Sequence, residues 1–364
     1  MQIQAAVLEQ QENQRPYAKH RPLTLREVQL QEPGPGEVLV RITAAGLCHS
    51  DLSVIDGNRS RPVPMVLGHE SAGIVEQAGP GVELALGQQV ISVFLPRCEK
   101  CAASATGGKL PCTAGTEANT AGTLLTGARR LVMDGQPVHH HLGVSAFATY
   151  AVMDVRSLVA VGSDVPPEVA AVLGCAVLTG GGALRNAAGA SGSEDVAIVG
   201  LGGVGMAALL VAVGQRTTGK ILAIDANEDK LAVALELGAD AACTPQELAG
   251  RSAEIVIEAA GHPRAFETAL AATAVGGTLV TVGLPAPGAM SSIEPLSLTA
   301  GARTIIGSYM GSALPANDIP YYEGLWRAGR LPVQKLVRTR PMEQINEALD
   351  ELAEGRSVRQ VLLP

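Results

Sequence analysis

The chain has 364 residues, 47% of them apolar and only 17% charged, with a net charge of −8. That is enough for two domains with full cores, and so few charges exclude the basic surface that nucleic-acid binding requires. Aromatic residues are only 2% of the chain, so the cores must be built from Ala, Val, Leu and Ile.

The N-terminus, Met1-Gln2-Ile3-Gln4, lacks the charged start and apolar core of a signal peptide. No run of about 18 apolar residues stands out, so no membrane span is expected. Six cysteines in such a chain read as metal ligands or free thiols rather than disulfides, and the expected compartment is the cytoplasm.

The first half reads as a glycine-punctuated, β-rich barrel. Strands are predicted over Leu23–Gln31 and Glu37–Ala44, with Pro33-Gly34-Pro35-Gly36 as the turn between them. Further short strands are predicted at Gly73–Val75 and Gln89–Val93. The residues that carry chemistry fall between these strands. Gly46-Leu47-Cys48-His49-Ser50-Asp51 is followed, twenty-one residues after Cys48, by Gly68-His69-Glu70. A thiol and an imidazole are ligand types that zinc prefers, and catalytic zinc sites use three protein ligands with a fourth position open. Cys48 and His69 are two candidates, and Cys175 in Leu173-Gly174-Cys175 is a third. Glu70 adjoins His69 and is a candidate from the other side of an ion. Asp51 is a candidate to hold the second ring nitrogen of His69, and Ser50 to take a proton from the open position. Singly, each residue reads more readily as core; together, with glycines that let the backbone converge, they read as a metal site.

Cys98, Cys101 and Cys112 form a second cysteine group. Ser104 stands where the repeating spacing would place a fourth thiol. Structural zinc normally takes four ligands, so two readings stay open: a zinc lobe short of one thiol, or a loop without metal. Residues 113–143 read as loop. The run His139-His140-His141 reads as a solvated or pocket-lining segment, because adjacent side chains point apart.

A helix over Glu168–Leu173 delivers Cys175, and a second helix over Thr179–Ala188 leads into another domain. There Asp195–Val199 is a buried strand. It runs into Gly200-Leu201-Gly202-Gly203-Val204-Gly205 and a helix over Met206–Val213. Strand, G-x-G-x-x-G and helix in that order form a dinucleotide-binding turn, with the helix N-terminus facing the pyrophosphate. The next strand, Lys220–Ile224, ends in Asp225, twenty residues after Gly205. An acidic residue there accepts from ribose hydroxyls and repels a 2′-phosphate, which favours NAD over NADP. Lys230 is a second candidate for the ribose.

The βα rhythm continues through strand Ala253–Glu258, helix Pro263–Ala272, strand Thr278–Val282 and an edge strand Arg303–Gly307, so a parallel, doubly wound sheet is predicted. Helices over Ile319–Ala328 and Met342–Leu352 follow. A last strand, Gln360–Leu363, is predicted to return to the first domain, with Arg359 before it as a candidate phosphate contact or a plain surface arginine. The division predicted is 1–176 with 311–364 for the metal domain and 177–310 for the nucleotide domain.

With G-L-C-H-S-D, L-G-H-E, the C-x-x-C lobe, L-G-C, G-L-G-G-V-G and I-D-A-N-E-D-K in hand, the chain resembles the zinc-dependent medium-chain alcohol dehydrogenases over nearly its whole length. The long segment between the lobe and Cys175 resembles the dimeric branch that includes the thiol-dependent formaldehyde dehydrogenases. The resemblance implies an α/β fold: a GroES-like catalytic domain and a Rossmann domain. It implies catalytic zinc on Cys48, His69 and Cys175, with Glu70 an occasional ligand, Ser50 opening a proton relay and Asp51 supporting His69. It implies pyrophosphate contacts from His49 and Arg359, and backbone contacts to the nicotinamide amide from Val282, Ser308 and Met310. Phe94 and Leu142 fall where the family lines its substrate pocket, with Arg59 and His141 beside them as polar additions. The chain departs from the pattern at Ser104 and at Ser53, where several relatives carry a histidine that passes the proton onward. A homodimer through the edge strand near Ile305 is implied as well.

The activity expected is reversible oxidation of a small-molecule alcohol by NAD. The alternative is a dehydrogenase for a thiol adduct such as S-hydroxymethyl glutathione, for which Arg59, Arg129 and Arg130 are available cations. A non-catalytic redox sensor and a zinc-free quinone or enoyl reductase both conflict with the intact set of ligands.

Overall fold

The computed structural model describes residues 1–11, 14–107, 109–216 and 219–364. It divides into two compact units, Met1–Cys175 with Val337–Pro364, and Ala176–Leu336.

The first unit is built from two β-systems. Gln2–Leu8, Leu23–Leu30, Leu131–Met133, Gln136–His140 and Met65–Val66 close into a small barrel. A seven-stranded sheet is organised on the long strand Glu37–Leu47, which pairs antiparallel with Glu70–Ala78, with Tyr150–Asp154 and with the C-terminal strand Arg359–Leu363. Alternation drives this arrangement: along Glu37–Leu47 the inward positions Val38, Val40, Ile42, Ala45 and Leu47 are buried in one core with Phe147, Ile345 and Leu349.

The second unit is a six-stranded parallel sheet. Numbered within the unit, its strands Val196–Val199, Ile221–Ile224, Ala241–Cys243, Ala253–Glu258, Thr273–Thr281 and Thr304–Gly307 lie in the order 3-2-1-4-5-6. That is the doubly wound dinucleotide-binding order, in which ligands bind at the carboxyl ends of the strands beside the switch point. Val196–Val199 is apolar without alternation because helices cover both faces of a parallel sheet.

The structure departs from the sequence reading in four places. Residues 113–143 are not loop: they hold the helix Thr113–Ala121 and strands Leu131–Met133 and Gln136–His140, whose short apolar runs carry no strong period. The first strand, Gln2–Leu8, was hidden in the same way. The chain rejoins the first unit at Val337, not at 311. Residues before it pack with the second unit, where Asp318 accepts from Arg185 and Asn186 at 2.9 and 3.0 Å, and buried Tyr322 closes on Gly181. Finally, the helical stretch Pro167–Ala188 does have the length and apolarity of a membrane span. Its 18-residue window is 89% buried in the fold, as a core helix is.

Candidate active site

Cys48, His69, Glu70 and Cys175 place their donor atoms within 4.8 Å of one another. Each comes from a different local device. Cys48 ends the strand Glu37–Leu47 and caps the helix His49–Ile55. His69 follows Gly68, whose φ of +90° and 2.6 Å separation between an added Cβ and the Phe147 nitrogen leave room for glycine alone. Cys175 sits on the π-turn Leu173–Val177. Gly174 before it lies so close to the Ser92 carbonyl that a Cβ would stand 2.3 Å away.

Asp51 ties the loops together. Its Oδ2 accepts from the Cys48 amide at 3.1 Å. Its Oδ1 meets His69 Nδ1 at 3.0 Å and accepts from the Gly68 amide at 3.3 Å. With Nδ1 so engaged, His69 presents Nε2, which lies 3.8 Å from Cys175 Sγ and 3.5 Å from Glu70 Oε1. Burial alone would raise the Asp51 carboxyl, but the charge and hydrogen bond of His69, with His141 close beside it, hold it down at about 2. A hydrogen bond from Cys175 lowers the Cys48 thiol well below its ordinary range, and the same contact raises Cys175. The pair behaves as a thiol donating to a thiolate, a donor set suited to a soft divalent ion.

Glu70 is fully buried, and burial pushes its carboxyl up to about 7 against the pull of Arg359. The Arg359 guanidinium donates to Glu70 Oε1 at 2.9 Å and to the Leu47 carbonyl at 3.2 Å. A contact that close favours the ionised carboxylate. Arg359 is thus no plain surface arginine: it is 4% exposed and engaged with Glu70.

In the second unit, Gly200-Leu201-Gly202-Gly203-Val204-Gly205 joins the strand Val196–Val199 to the helix Gly203–Gln215. Gly200 has φ +90°, and a Cβ there would stand 2.6 Å from Ala260. A Cβ on Gly205 would stand 1.8 Å from the Gly200 carbonyl. A Cβ added at Gly202 would meet nothing within 4 Å, which leaves on that side the space a phosphate needs. Asp225 ends the neighbouring strand, and its Oδ2 accepts from the Leu201 amide at 2.6 Å, so carboxylate and glycine turn are fixed to each other. Lys230 lies in the first turn of the following helix, Glu228–Glu236. Val282, Ser308 and Met310 are buried at the carboxyl ends of the last two strands. The Ser308 hydroxyl pairs with Ser312 at 2.9 Å, and Met310 has φ +54°.

Residues 34–163 match the family model of the alcohol dehydrogenase GroES-like domain, and residues 203–325 match that of the zinc-binding dehydrogenases. An alcohol dehydrogenase zinc-binding domain protein from Burkholderia ambifaria is 33% identical, with 100% of this chain and 99% of that one covered at a TM-score of 0.92. The chain belongs to the medium-chain zinc-binding alcohol dehydrogenase family. Benzyl alcohol dehydrogenase from Acinetobacter calcoaceticus is 30% identical, covering 100% and 99% with a TM-score of 0.90. Acetophenone reductase from Geotrichum candidum, solved with NAD, is 26% identical, covering 100% and 97% with a TM-score of 0.81.

Within this alcohol dehydrogenase fold, other expected residues take the following places. Phe94 meets the His69 ring edge-on at 5.7 Å, and Leu142 is 7% exposed. His141 is buried, not solvated, with Nδ1 3.2 Å from Asp51 Oδ1. His140 is buried in the barrel and accepts from the Arg130 amide at 3.0 Å. The Ser53 hydroxyl donates to the His49 carbonyl at 2.9 Å. Ser50 opens the helix His49–Ile55 and is half-buried, while His49 beside it is exposed. Arg59 has its backbone pinned between Ser53 and Gln11. The cation whose charge acts on His141 is Arg61, a residue the sequence reading passed over because no spacing rule marks it. It also passed over Glu258, which is buried and binds the Ala260 and Gly261 amides at 2.9 and 2.7 Å, holding the loop after the fourth strand.

Proposed function

We propose that this chain oxidises an alcohol reversibly to an aldehyde or ketone, with NAD as the hydride acceptor and a catalytic zinc. The carrying observation is the convergence of Cys48, His69, Glu70 and Cys175 within 4.8 Å. A zinc ion held by such ligands supplies Lewis acidity that makes an alcohol easier to deprotonate at neutral pH, and the nicotinamide supplies the acceptor. The chain's own residues do the rest. Cys48, His69 and Cys175 are the ligands, with Asp51 fixing the His69 tautomer so that Nε2 is the donor. Glu70, anchored by Arg359, is the reserve carboxylate. Ser50 is the proposed acceptor of the alcohol proton. Gly200, Gly202 and Gly205 shape the turn for the pyrophosphate, and Asp225 selects the unphosphorylated ribose.

The substrate class proposed is an alcohol with an aryl or other apolar group. Phe94 and Leu142 supply apolar surface, and the names of the two relatives that act on aryl compounds support it. The thiol-adduct reading is weaker, because Arg130 is spent: its Nε donates to buried Glu37 at 2.6 Å.

NADH formation, measured with NAD and a panel of aliphatic and benzylic alcohols, and with formaldehyde plus glutathione, tests the reading. Turnover on benzylic alcohols that disappears in Cys48→Ala is the expected result. Turnover only with glutathione would move the chain to the thiol-adduct class, and undiminished activity in Cys48→Ala would remove the metal role.

A further inference from the structure

The described residues contain a second thiol cluster that the reaction does not use. Cys98, Cys101 and Cys112 bring their sulfurs within 4.8 Å of one another, and no other histidine, cysteine or carboxylate among the described residues joins them. We propose that this lobe is a metal site with an open coordination position, holding a divalent thiophilic ion and admitting one exogenous soft ligand such as a small thiol.

The geometry fits a shared ion. Cys101 and Cys112 sulfurs are 3.8 Å apart. Two thiolates on a tetrahedral zinc, each at about 2.3 Å, stand about 3.8 Å apart, whereas a disulfide would need about 2.05 Å. The cluster is also held from the backbone. The Cys112 sulfur accepts from the Cys98 and Gly115 amides at 3.3 and 3.4 Å, so the 98–101 turn and the helix Thr113–Ala121 are fixed around it.

The charge balance points to a divalent ion. Three thiolates and a divalent cation leave one negative charge. The charge of Arg97 acts on Cys101 and Cys112, and that of Arg156 on Cys98. Arg97 is pinned in the loop by its own bond to the Leu110 carbonyl at 2.8 Å.

The fourth position is what sets this lobe apart. Ser104 occupies the next step of the three-residue spacing, on the exposed short helix Ala102–Ala105. A neutral hydroxyl competes poorly with solvent for zinc. Structural sites are closed by four protein ligands, and sites with three exchange the fourth. Cys98 and Cys101 are half-exposed, so an incoming sulfur has a path. A thiol that binds there gives its proton to solvent and adds a fourth thiolate, with no change of oxidation state.

The test uses the whole chain loaded with cobalt(II), whose thiolate charge-transfer absorption counts sulfur ligands. The difference between this chain and Cys98→Ser isolates the lobe from the catalytic cluster. The expected lobe band is that of three thiolates, and 2-mercaptoethanol raises it by roughly a third, toward four. Ser104→Cys shows the four-thiolate band without added thiol, does not respond to it, and releases its lobe metal to a chelator more slowly than the parent chain. That comparison stands alone if Cys98→Ser fails to fold. Equal metal content in the parent and a folded Cys98→Ser would overturn the site. A parent band indifferent to added thiol, or already as intense as that of Ser104→Cys, would overturn the open position.

Discussion

His141 Nδ1 stands 3.2 Å from the same Asp51 oxygen that His69 Nδ1 meets at 3.0 Å. One carboxylate oxygen thus lies against two imidazoles, hydrogen-bonded to His69 and in close contact with His141, and the two rings lie edge to face at 5.5 Å. The hydrogen bond between His69 and Asp51 requires a proton on His69 Nδ1, which leaves Nε2 free. The His141 backbone is fixed in turn, its amide donating at 2.9 Å to Ser145, whose hydroxyl reaches the Val66 carbonyl.

The first prediction follows from this shared carboxylate. His141→Leu removes the imidazole packed against Asp51 Oδ1, leaving the Cys48 and Gly68 amides to hold the carboxylate, and weakens the hold of His69 on zinc, by roughly tenfold on the scale of outer partners to metal ligands. His141→Gln keeps a donor and restores most of it. Chelator competition for zinc measures both variants without reference to turnover. Equal zinc affinity in His141→Leu and the parent chain would show that the contact orients nothing.

The glycine turn offers a contrast between packing and ligand space. Gly205→Ala forces a Cβ to 1.8 Å from the Gly200 carbonyl and should cost about 1–3 kcal/mol of stability, or prevent folding. Gly202→Ala meets no protein atom within 4 Å, so its stability should stay within about 0.5 kcal/mol of the parent. Its KM for NAD should nonetheless rise steeply. Thermal unfolding and cofactor titration of the two variants separate the effects. A Gly202→Ala chain that is destabilised but binds NAD normally would reverse the assignment.

Asp225→Asn keeps an acceptor for the Leu201 amide while removing the negative charge. Losing charge-assisted bonds to two ribose hydroxyls should raise the KM for NAD roughly tenfold or more, at about 1.5–3 kcal/mol per bond to a charged group. NADP, no longer repelled, should gain. The ratio of kcat/KM for the two cofactors is the measurement, and a ratio that does not move would remove Asp225 from the specificity role.

His140 gives an acid limb to the stability curve. Burial holds it down at about 3, against 6.5 in its ordinary state. Below pH 6.5 the unfolded chain takes up a proton that the folded chain refuses until pH approaches 3. This contribution is therefore complete above 6.5 and is lost as pH falls through that window, by about 2 kcal/mol at about pH 5. His140→Gln keeps an acceptor for the Arg130 amide and should flatten that limb in urea midpoints measured from neutral pH down to about pH 5. An unchanged slope would mean that another group titrates there.

The sequence by itself determined what local chemistry controls. Cys48, His69 and Cys175 follow glycines that let backbones converge, and Gly200–Gly205 lies between an apolar strand and an alanine-rich helix, so ligand types, nucleotide turn and the parallel βα rhythm were all legible. Asp51 as the partner of His69 was legible for the same reason, since a helix start places it one turn from Cys48. Tertiary packing decided the rest. Leu131–Met133 and Gln136–His140 become barrel strands because Leu23–Leu30 and Met65–Val66 offer edges to pair with. Arg359 and Glu70 are 289 residues apart in sequence, and no pattern in either neighbourhood says that one neutralises the other. The same holds for His141. His139 and His140 close the strand Gln136–His140 and alternate in direction, whereas His141 lies in the turn after it, where its carbonyl accepts from the Val144 and Ser145 amides and its own amide donates to the Ser145 hydroxyl. A turn of that kind is fixed by the tertiary contacts around it, and it brings one histidine of the run against Asp51 in the candidate metal site.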